Sequence, residues 1–466
     1  MSALKGLSAM TEGNTVFGLD TEARSRLLGR LTGRRAAGPA AVAEVAPPPP
    51  RPPVLGSAER YEELRLMRQA AALLKIDDPF FNVHEGIAGD TIAMDGASLV
   101  NYASYNYLGL NGDPRVTAAA KAAIDQYGTS VSASRIVSGE RPVHRALEQE
   151  LAALYGTEDA VVMVSGHATN VTVVGCLLGA DDLVVHDSLS HNSVVQGAIL
   201  SGAHRASFPH NDAEALDRML ATLRPRHKQA LVIVEGHYSM DGDIPDLARL
   251  IPVVRKHRAS LMVDEAHSLG VLGARGHGIA EQAGVDPDEV DLWMGTLSKT
   301  LAGCGGYIAG KQALVDFLKF TAPGFVYSVG MPPPVAAASL EALRIMHAEP
   351  WRVAKLVANG TRFLERARAA GLDTGPSIGT AIVPIIVGSS IRAVRVSHAL
   401  HKRGINVQPI IHPAVPERSA RLRFFISSSH EFEQIDSTVD AVAEEVASAG
   451  AERVSLAALK LQLAMR

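Results

Sequence analysis

Residues 261–270 read LMVDEAHSLG and residues 290–303 read VDLWMGTLSKTLAG. Each stretch opens on a short apolar run of five residues or fewer and closes on small and polar residues around ionisable groups. Asp264 and His267 close the first, and Lys299 closes the second. Five apolar residues are too few for a helix but suit a strand buried on both faces. The same pattern recurs at AVVMV (160–164), LVVH (183–186), LVIVEG (231–236) and GGYIAG (305–310), with helix-length segments between most of them. That alternation predicts βαβ crossovers and an α/β fold with a mostly parallel central sheet flanked by helices.

Outward from this centre the pattern changes. A helix is expected over 57–75, then a hairpin-like stretch over 92–110 (IAMDGASLVNYASYNYLGL). Beyond residue 340 helices mix with AIVPIIVG (381–388), NVQPIIHP (406–413) and RLRFFISSS (421–429), which predicts an α+β C-terminal domain. The expected division is a flexible Ala/Pro-rich extension (1–57), an N-terminal helix and hairpin segment (58–115) and a large domain (116–338). A C-terminal domain (339–450) and a tail helix (451–466) complete it. Within the extension, GPAAVAEVAPPPPRPP (38–53) is a polyproline-type spacer, and DTEARSRLLGRLTGRR (20–35) suits one short amphipathic helix capped by Asp20.

A net charge of −4 gives no reason to expect nucleic acid or an anionic membrane as partner. Two cysteines, Cys176 and Cys304, provide no disulfide framework. Neither an apolar run of transmembrane length nor a signal-peptide core is identified, so a cytoplasmic location is expected. No metal is expected.

The strand ends carry the chemistry. Open α/β sheets place ligands at the carboxyl ends of their strands, where Asp264 stands. A carboxylate there is costly without a cationic partner, and a protonated pyridine nitrogen would be one; a lone helix-capping Asp is the blander alternative. Lys299 sits in a glycine-rich turn that a bulky cofactor can approach, and a lysine amine can hold an aldehyde cofactor covalently. Together the two indicate pyridoxal phosphate, an electron sink for carbanions. Thr296 supplies a hydroxyl suited to a phosphate. In VVMVSGHATN (161–170), Ser165 and Gly166 precede a helix N-terminus, a place where phosphates bind. In DSLSHNSVV (187–195), His191 follows another apolar run, and its ring could stack on a pyridine; His267 could donate to the cofactor's phenolic oxygen.

The ordered set NYLGL (106–110), SGERPVHRALE (138–148), SGHATN (165–170), LSHNS (189–193), EGHYSMDGD (235–243), VDEAHSLG (263–270), GTLSKTLAG (295–303), YSVGMPPP (327–334) and RLRFFISSSH (421–430) resembles the α-oxoamine synthases. These are fold-type I pyridoxal-phosphate enzymes, and the likeness spans roughly residues 60–450. The resemblance implies Lys299 as Schiff-base lysine and general base, with Asp264 on the pyridine nitrogen. It places His267 and Ser239 near the phenolic oxygen and His191 on the ring. Ser165, Gly166, His167 and Thr296 would surround the phosphate end. Ser328 would reach the cofactor of the second subunit, because the family forms homodimers with sites at the interface. Arg423, with Arg421 as the alternative, would clamp the amino acid carboxylate, since a planar guanidinium suits bidentate binding. Alternation along a strand puts both arginines on one face and leaves the choice open. Asn106 would be an amide near the substrates.

The implied reaction is a decarboxylative Claisen condensation of glycine, alanine or serine with an acyl thioester, carried on CoA or an acyl-carrier protein. The products are an α-aminoketone, CO2 and a free thiol. Three positions depart from the family pattern: His167, His412 and Arg135. The wording of NYASYNYLG and EGHYSMDG leans toward the serine palmitoyltransferase branch and toward polyketide-linked synthases. The rival readings are another fold-type I enzyme and a catalytically inactive partner subunit, which would lack the lysine.

Overall fold

A computed structural model of the chain describes residue 65 and residues 79–451. The predicted extension 1–57, most of the helix expected over 57–75 and the tail beyond 451 lie outside the described residues. The hairpin is formed by β1 (Thr91–Met94) and β2 (Ala97–Asn101), antiparallel strands joined by Asp95 and Gly96. Both turn residues take positive φ, 49° and 77°. A two-residue Asp-Gly turn of this kind matches the right-handed twist of its strands, and this is why DG between apolar runs makes a hairpin.

The large sheet comprises β3 (Asp159–Met163), β4 (Leu183–Asp187), β5 (His204–Phe208), β6 (Ala230–Glu235), β7 (Ser260–Asp264), β8 (Leu292–Thr296) and β9 (Gly306–Gly310). Its order is β3-β9-β8-β7-β6-β4-β5. Strands β5, β4, β6, β7 and β8 pair in parallel, while β9 runs antiparallel between β8 and β3. Every residue of β3, β4, β6, β8 and β9 is buried. Each enclosed valine or leucine stabilises the fold by about 2 kcal/mol. Strand β5 (HRASF) is an edge strand buried mainly at Phe208, so its sequence carries no apolar run and escapes periodicity reading.

Two small sheets complete the fold. β10 (Ile382–Ile386), β12 (Gln408–Ile410) and β13 (Arg421–Phe425) form an antiparallel sheet in the order β10-β13-β12. β11 (Ile405–Asn406) joins β2 in parallel, so the hairpin shares a sheet with a segment three hundred residues later. One of the helices expected beyond residue 340 spans Ser390–Lys402. One close approach sets the site's geometry. A Cβ at Gly306 would lie 2.7 Å from the Cα of Gly166, so only glycine lets the helix Gly166–Leu177 press its N-terminus against β9. No helix among the described residues is long and apolar enough to cross a membrane.

Candidate active site

The parallel strands end on one edge of the sheet, and the predicted residues gather there. Asp264 is the last residue of β7, and His267 lies three further on. Lys299 follows β8, His191 follows β4, and Ser239 follows β6. Asp264 is buried and receives hydrogen bonds from Asn170 Nδ2 at 2.8 Å and from the Ala266 amide at 2.9 Å. Among the described residues it forms no ion pair. On the neighbouring strand Glu235 stands in register with Asp264. It accepts the His191 backbone N–H at 2.5 Å. Burial, reinforced by the Asp264 charge, raises the Glu235 carboxyl to about 8. Burial also lowers the Lys299 amine to about 8, with the Asp264 and Glu235 charges partly opposing the drop. The Lys299 Nζ forms no hydrogen bond or ion pair among the described residues; it lies 5.7 Å from the centre of the Tyr105 ring.

His267 is buried, and its Nδ1 sits 2.7 Å from the Tyr107 hydroxyl. Its ring stacks near-parallel to Phe425, at 14° and 6.3 Å between centres. Burial, then the Lys299 and Arg423 charges, hold the imidazole well below the ordinary histidine range, so it is neutral. Burial pushes the Tyr107 phenol up, which keeps its proton available for His267.

At the other end, Ser165 caps the helix Gly166–Leu177, its hydroxyl accepting the Ala168 amide at 3.3 Å. Gly166 lies against Thr296: a Cβ there would stand 2.6 Å from Thr296 Oγ1. The Thr296 hydroxyl is 2.8 Å from the Gly305 carbonyl and 3.1 Å from Ser298 Oγ. The Thr296 proton can go to either oxygen, and the exposed Ser298 hydroxyl stands beside it. His167 is exposed, and its ring stands edge-on to His191 at 6.1 Å.

The two arginines separate clearly. Arg421 is buried and donates to Asp241 at 2.6 Å and to the Met240 carbonyl at 2.9 Å. Arg423 donates to the Ser239 carbonyl at 3.2 Å and the Met240 sulfur at 3.3 Å, also meets Tyr105, and lies 4.5 Å over the Phe425 ring, with no carboxylate partner among the described residues. Its Nε is buried with no partner. The Asn106 side chain is fully engaged, donating to the Ala88 and Asn111 carbonyls and accepting the Asn111 amide. Its neighbours Tyr105 and Tyr107 reach the cluster instead. Ser328 donates to the Val329 carbonyl at 3.2 Å, and among the described residues it makes no hydrogen bond to the Lys299 cluster. Arg135 is turned into the fold between Glu148 and Glu140, so it is a packing residue. His412 is exposed, with its backbone amide on Ser390 Oγ at 3.3 Å.

The family model for aminotransferase class I and II matches residues 97–442. The chain belongs to that family. Among curated relatives, an 8-amino-7-oxononanoate synthase of Anaeromyxobacter sp. (strain K) is 41% identical over 355 residues, 76% of this chain and 88% of that protein. The same enzyme of Methylococcus capsulatus (strain Bath) is 40% identical, covering 76% of this chain and 91% of the relative. Among solved structures, the serine palmitoyltransferase of Sphingomonas wittichii superposes with a TM-score of 0.81 at 30% identity, over 85% of this chain and 99% of that one. The protein is an α-oxoamine synthase, a pyridoxal-phosphate-dependent acyltransferase.

The residues of this α-oxoamine synthase fit the cofactor. Asp264 is a buried carboxylate supplied with N–H donors but no cation, the deficit that a pyridinium fills. The Lys299 amine, lowered to about 8, is partly unprotonated near neutrality and able to bond an aldehyde. The helix beginning at Gly166 offers unpaired backbone N–H groups to a phosphate. Sequence reading passed over Tyr105, Tyr107, Glu235, Asn170 and Ser193. Glu235 carried a signal, since it closes the apolar run LVIVE as Asp264 closes LMVD. The tyrosines carried none beyond flanking Asn106.

Proposed function

We propose that this α-oxoamine synthase condenses a small amino acid (glycine, alanine or serine) with an acyl thioester, releasing CO2 and the free thiol and forming an α-aminoketone. The observation carrying this reading is the lysine amine at the sheet edge together with, on the opposing small sheet, a guanidinium (Arg423) that has no carboxylate partner among the described residues. Pyridoxal phosphate supplies the electron sink that stabilises a carbanion at the amino acid's α-carbon. Lys299 would hold the cofactor until the amino acid's amino group takes its place, and the lysine amine so released would take the α-proton, a task suited to a base near pH 8. Asp264 holds positive charge on the pyridine nitrogen. His191 covers the ring, and His267, neutral and fixed by Tyr107, faces the phenolic oxygen together with Ser239. Arg423 binds the substrate carboxylate. Ser165, Gly166, His167, Thr296 and Ser298 enclose the phosphate.

The large segment 116–338 and the C-terminal segment 339–450 act as separate domains in this reading. The enzyme works in the cytoplasm as a homodimer, with Ser328 of one subunit turned to its partner's cofactor. Exposed apolar side chains beside Ser328 support that assembly: Tyr327 and Val329, and Val137, whose segment is tied to theirs by the hydrogen bond from the Gly330 amide to the Ala133 carbonyl. The acyl group arrives on CoA or on a carrier protein.

The test is a stoichiometric assay with purified enzyme, pyridoxal phosphate, each amino acid in turn and an acyl-CoA series. One CO2 and one thiol released per aminoketone establishes the reaction. Transamination without CO2 or thiol refutes it.

A further inference from the structure

Asp264 and His191 are joined by a buried chain of hydrogen bonds that no spacing in the sequence announces. Asn170 Nδ2 lies 2.8 Å from Asp264 Oδ2 and 3.0 Å from Ser193 Oγ. Ser193 Oγ lies 2.7 Å from His191 Nδ1, and the Ser193 backbone amide points at the same nitrogen from 3.3 Å. Asn170 and Ser193 are both buried, at 1% and 0% exposure, so no water competes for these bonds.

The direction of every proton in the chain follows from its two ends. A carboxylate only accepts, so the Asn170 atom facing Asp264 must be the amide nitrogen. That nitrogen has two N–H bonds, and the second points to Ser193 Oγ. Consistent with this, Asn170 Oδ1 is left buried without a partner. Having accepted from Asn170, the Ser193 hydroxyl places its own proton on its remaining neighbour, His191 Nδ1. Two donors, the hydroxyl and the Ser193 amide, thus converge on Nδ1, which therefore carries no proton.

We infer that Asn170 and Ser193 are positioning residues that hold His191 as the neutral Nε2–H tautomer, so that the ring proposed to cover the cofactor presents one hydrogen-bond donor and no acceptor to the substrates. The inference rests on the proposed place of His191 over the cofactor, but the tautomer itself does not. A free Nε2–H suits an oxygen of a bound substrate, a carboxylate or a thioester carbonyl, and disfavours any donor there. Because the chain ends on Asp264, the group under the pyridine nitrogen and the group over the ring are set by one amide side chain. The Glu235 carboxyl completes the arrangement by holding the His191 backbone, while Ser193 holds the ring nitrogen.

The experiment is 15N nuclear magnetic resonance of the holoenzyme labelled at histidine, with the His191 signals assigned by their loss in His191→Asn. The wild type should show His191 with an unprotonated Nδ1 and a protonated Nε2 across the neutral range. Ser193→Ala should mix the two tautomers and move the His191 titration midpoint up by about 1 pH unit, the worth of one hydrogen bond to the neutral form. Ser193→Thr, which keeps the hydroxyl, should restore both signatures. A wild-type His191 protonated at Nδ1 overturns the inference without any variant having to fold. So does a Ser193→Ala protein whose His191 signals coincide with those of the wild type. Failure of the condensation assay alongside the expected tautomer would sink the proposed reaction and leave this network standing.

Discussion

Arg421 and Arg423 leave the same strand two positions apart, and Asp241 divides their roles: Arg421 meets its carboxylate at 2.6 Å, while Arg423 meets no carboxylate among the described residues. One guanidinium is already neutralised and the other keeps its charge for an incoming anion. Burial, partly offset by the neighbouring tyrosines, holds Arg423 below the ordinary arginine value, as expected of a cation awaiting its partner.

Arg423→Ala should therefore cost about 100-fold in kcat/KM for the amino acid, ~2.7 kcal/mol, expressed mainly in KM. Arg421→Ala should lower stability by about 3 kcal/mol, because it strands a part-buried carboxylate. Steady-state kinetics and denaturant unfolding on both variants check the division. Equal kinetic damage from both would reassign the carboxylate site.

The Lys299 amine is lowered to about 8, so its unprotonated fraction grows as pH rises through that value. Capture of pyridoxal phosphate by the apoenzyme should accelerate from pH 7 to 9 and level off above. Stopped-flow absorbance follows it directly. Lys299→Ala should abolish both capture and condensation.

Tyr107→Phe removes the hydroxyl 2.7 Å from His267 Nδ1 and leaves a buried ring nitrogen without its partner. The expected loss is about 1–2 kcal/mol, read as a roughly tenfold drop in kcat with cofactor still bound. Unchanged kcat together with an unchanged cofactor spectrum would mean that His267 is held by its stack on Phe425 instead.

His210 bridges Asp187 at 2.9 Å and Asp243 at 2.7 Å, tying the loop that leads to His191 to the loop that carries Ser239. Despite the opposing effect of burial, bonds to the two carboxylates raise this imidazole to about 10. A folded-state value above the unfolded ~6.5 stabilises the protein fully below pH 6.5, and that contribution is lost as pH rises through about 10. His210→Gln should therefore be less stable than wild type by about 3 kcal/mol at pH 6. The gap should close toward pH 10, as followed by thermal melts across that range.

Much of the architecture was legible because the large sheet is buried on both faces. Six of its strands are continuous apolar runs, and the DG turn of the hairpin states its own geometry. Strand β5 was not legible, since an edge strand with exposed His204 and Arg205 carries no such run. The motif around Asn106 singled out that amide and not the neighbouring phenol. That amide satisfies Ala88 and Asn111, and the phenol of Tyr107 crosses to His267, 160 residues away.

The sequence by itself determined the chemistry available at the sheet edge. A short apolar run forces its following polar residue to the strand's end, so Asp264, Lys299 and His191 are placed by local pattern. Tertiary structure alone decided which of these polar groups are already engaged. Asn170 meets Asp264 across 94 residues and Arg421 meets Asp241 across 180. A buried donor or acceptor must find a partner, and the partner it finds is chosen by packing rather than by spacing along the chain.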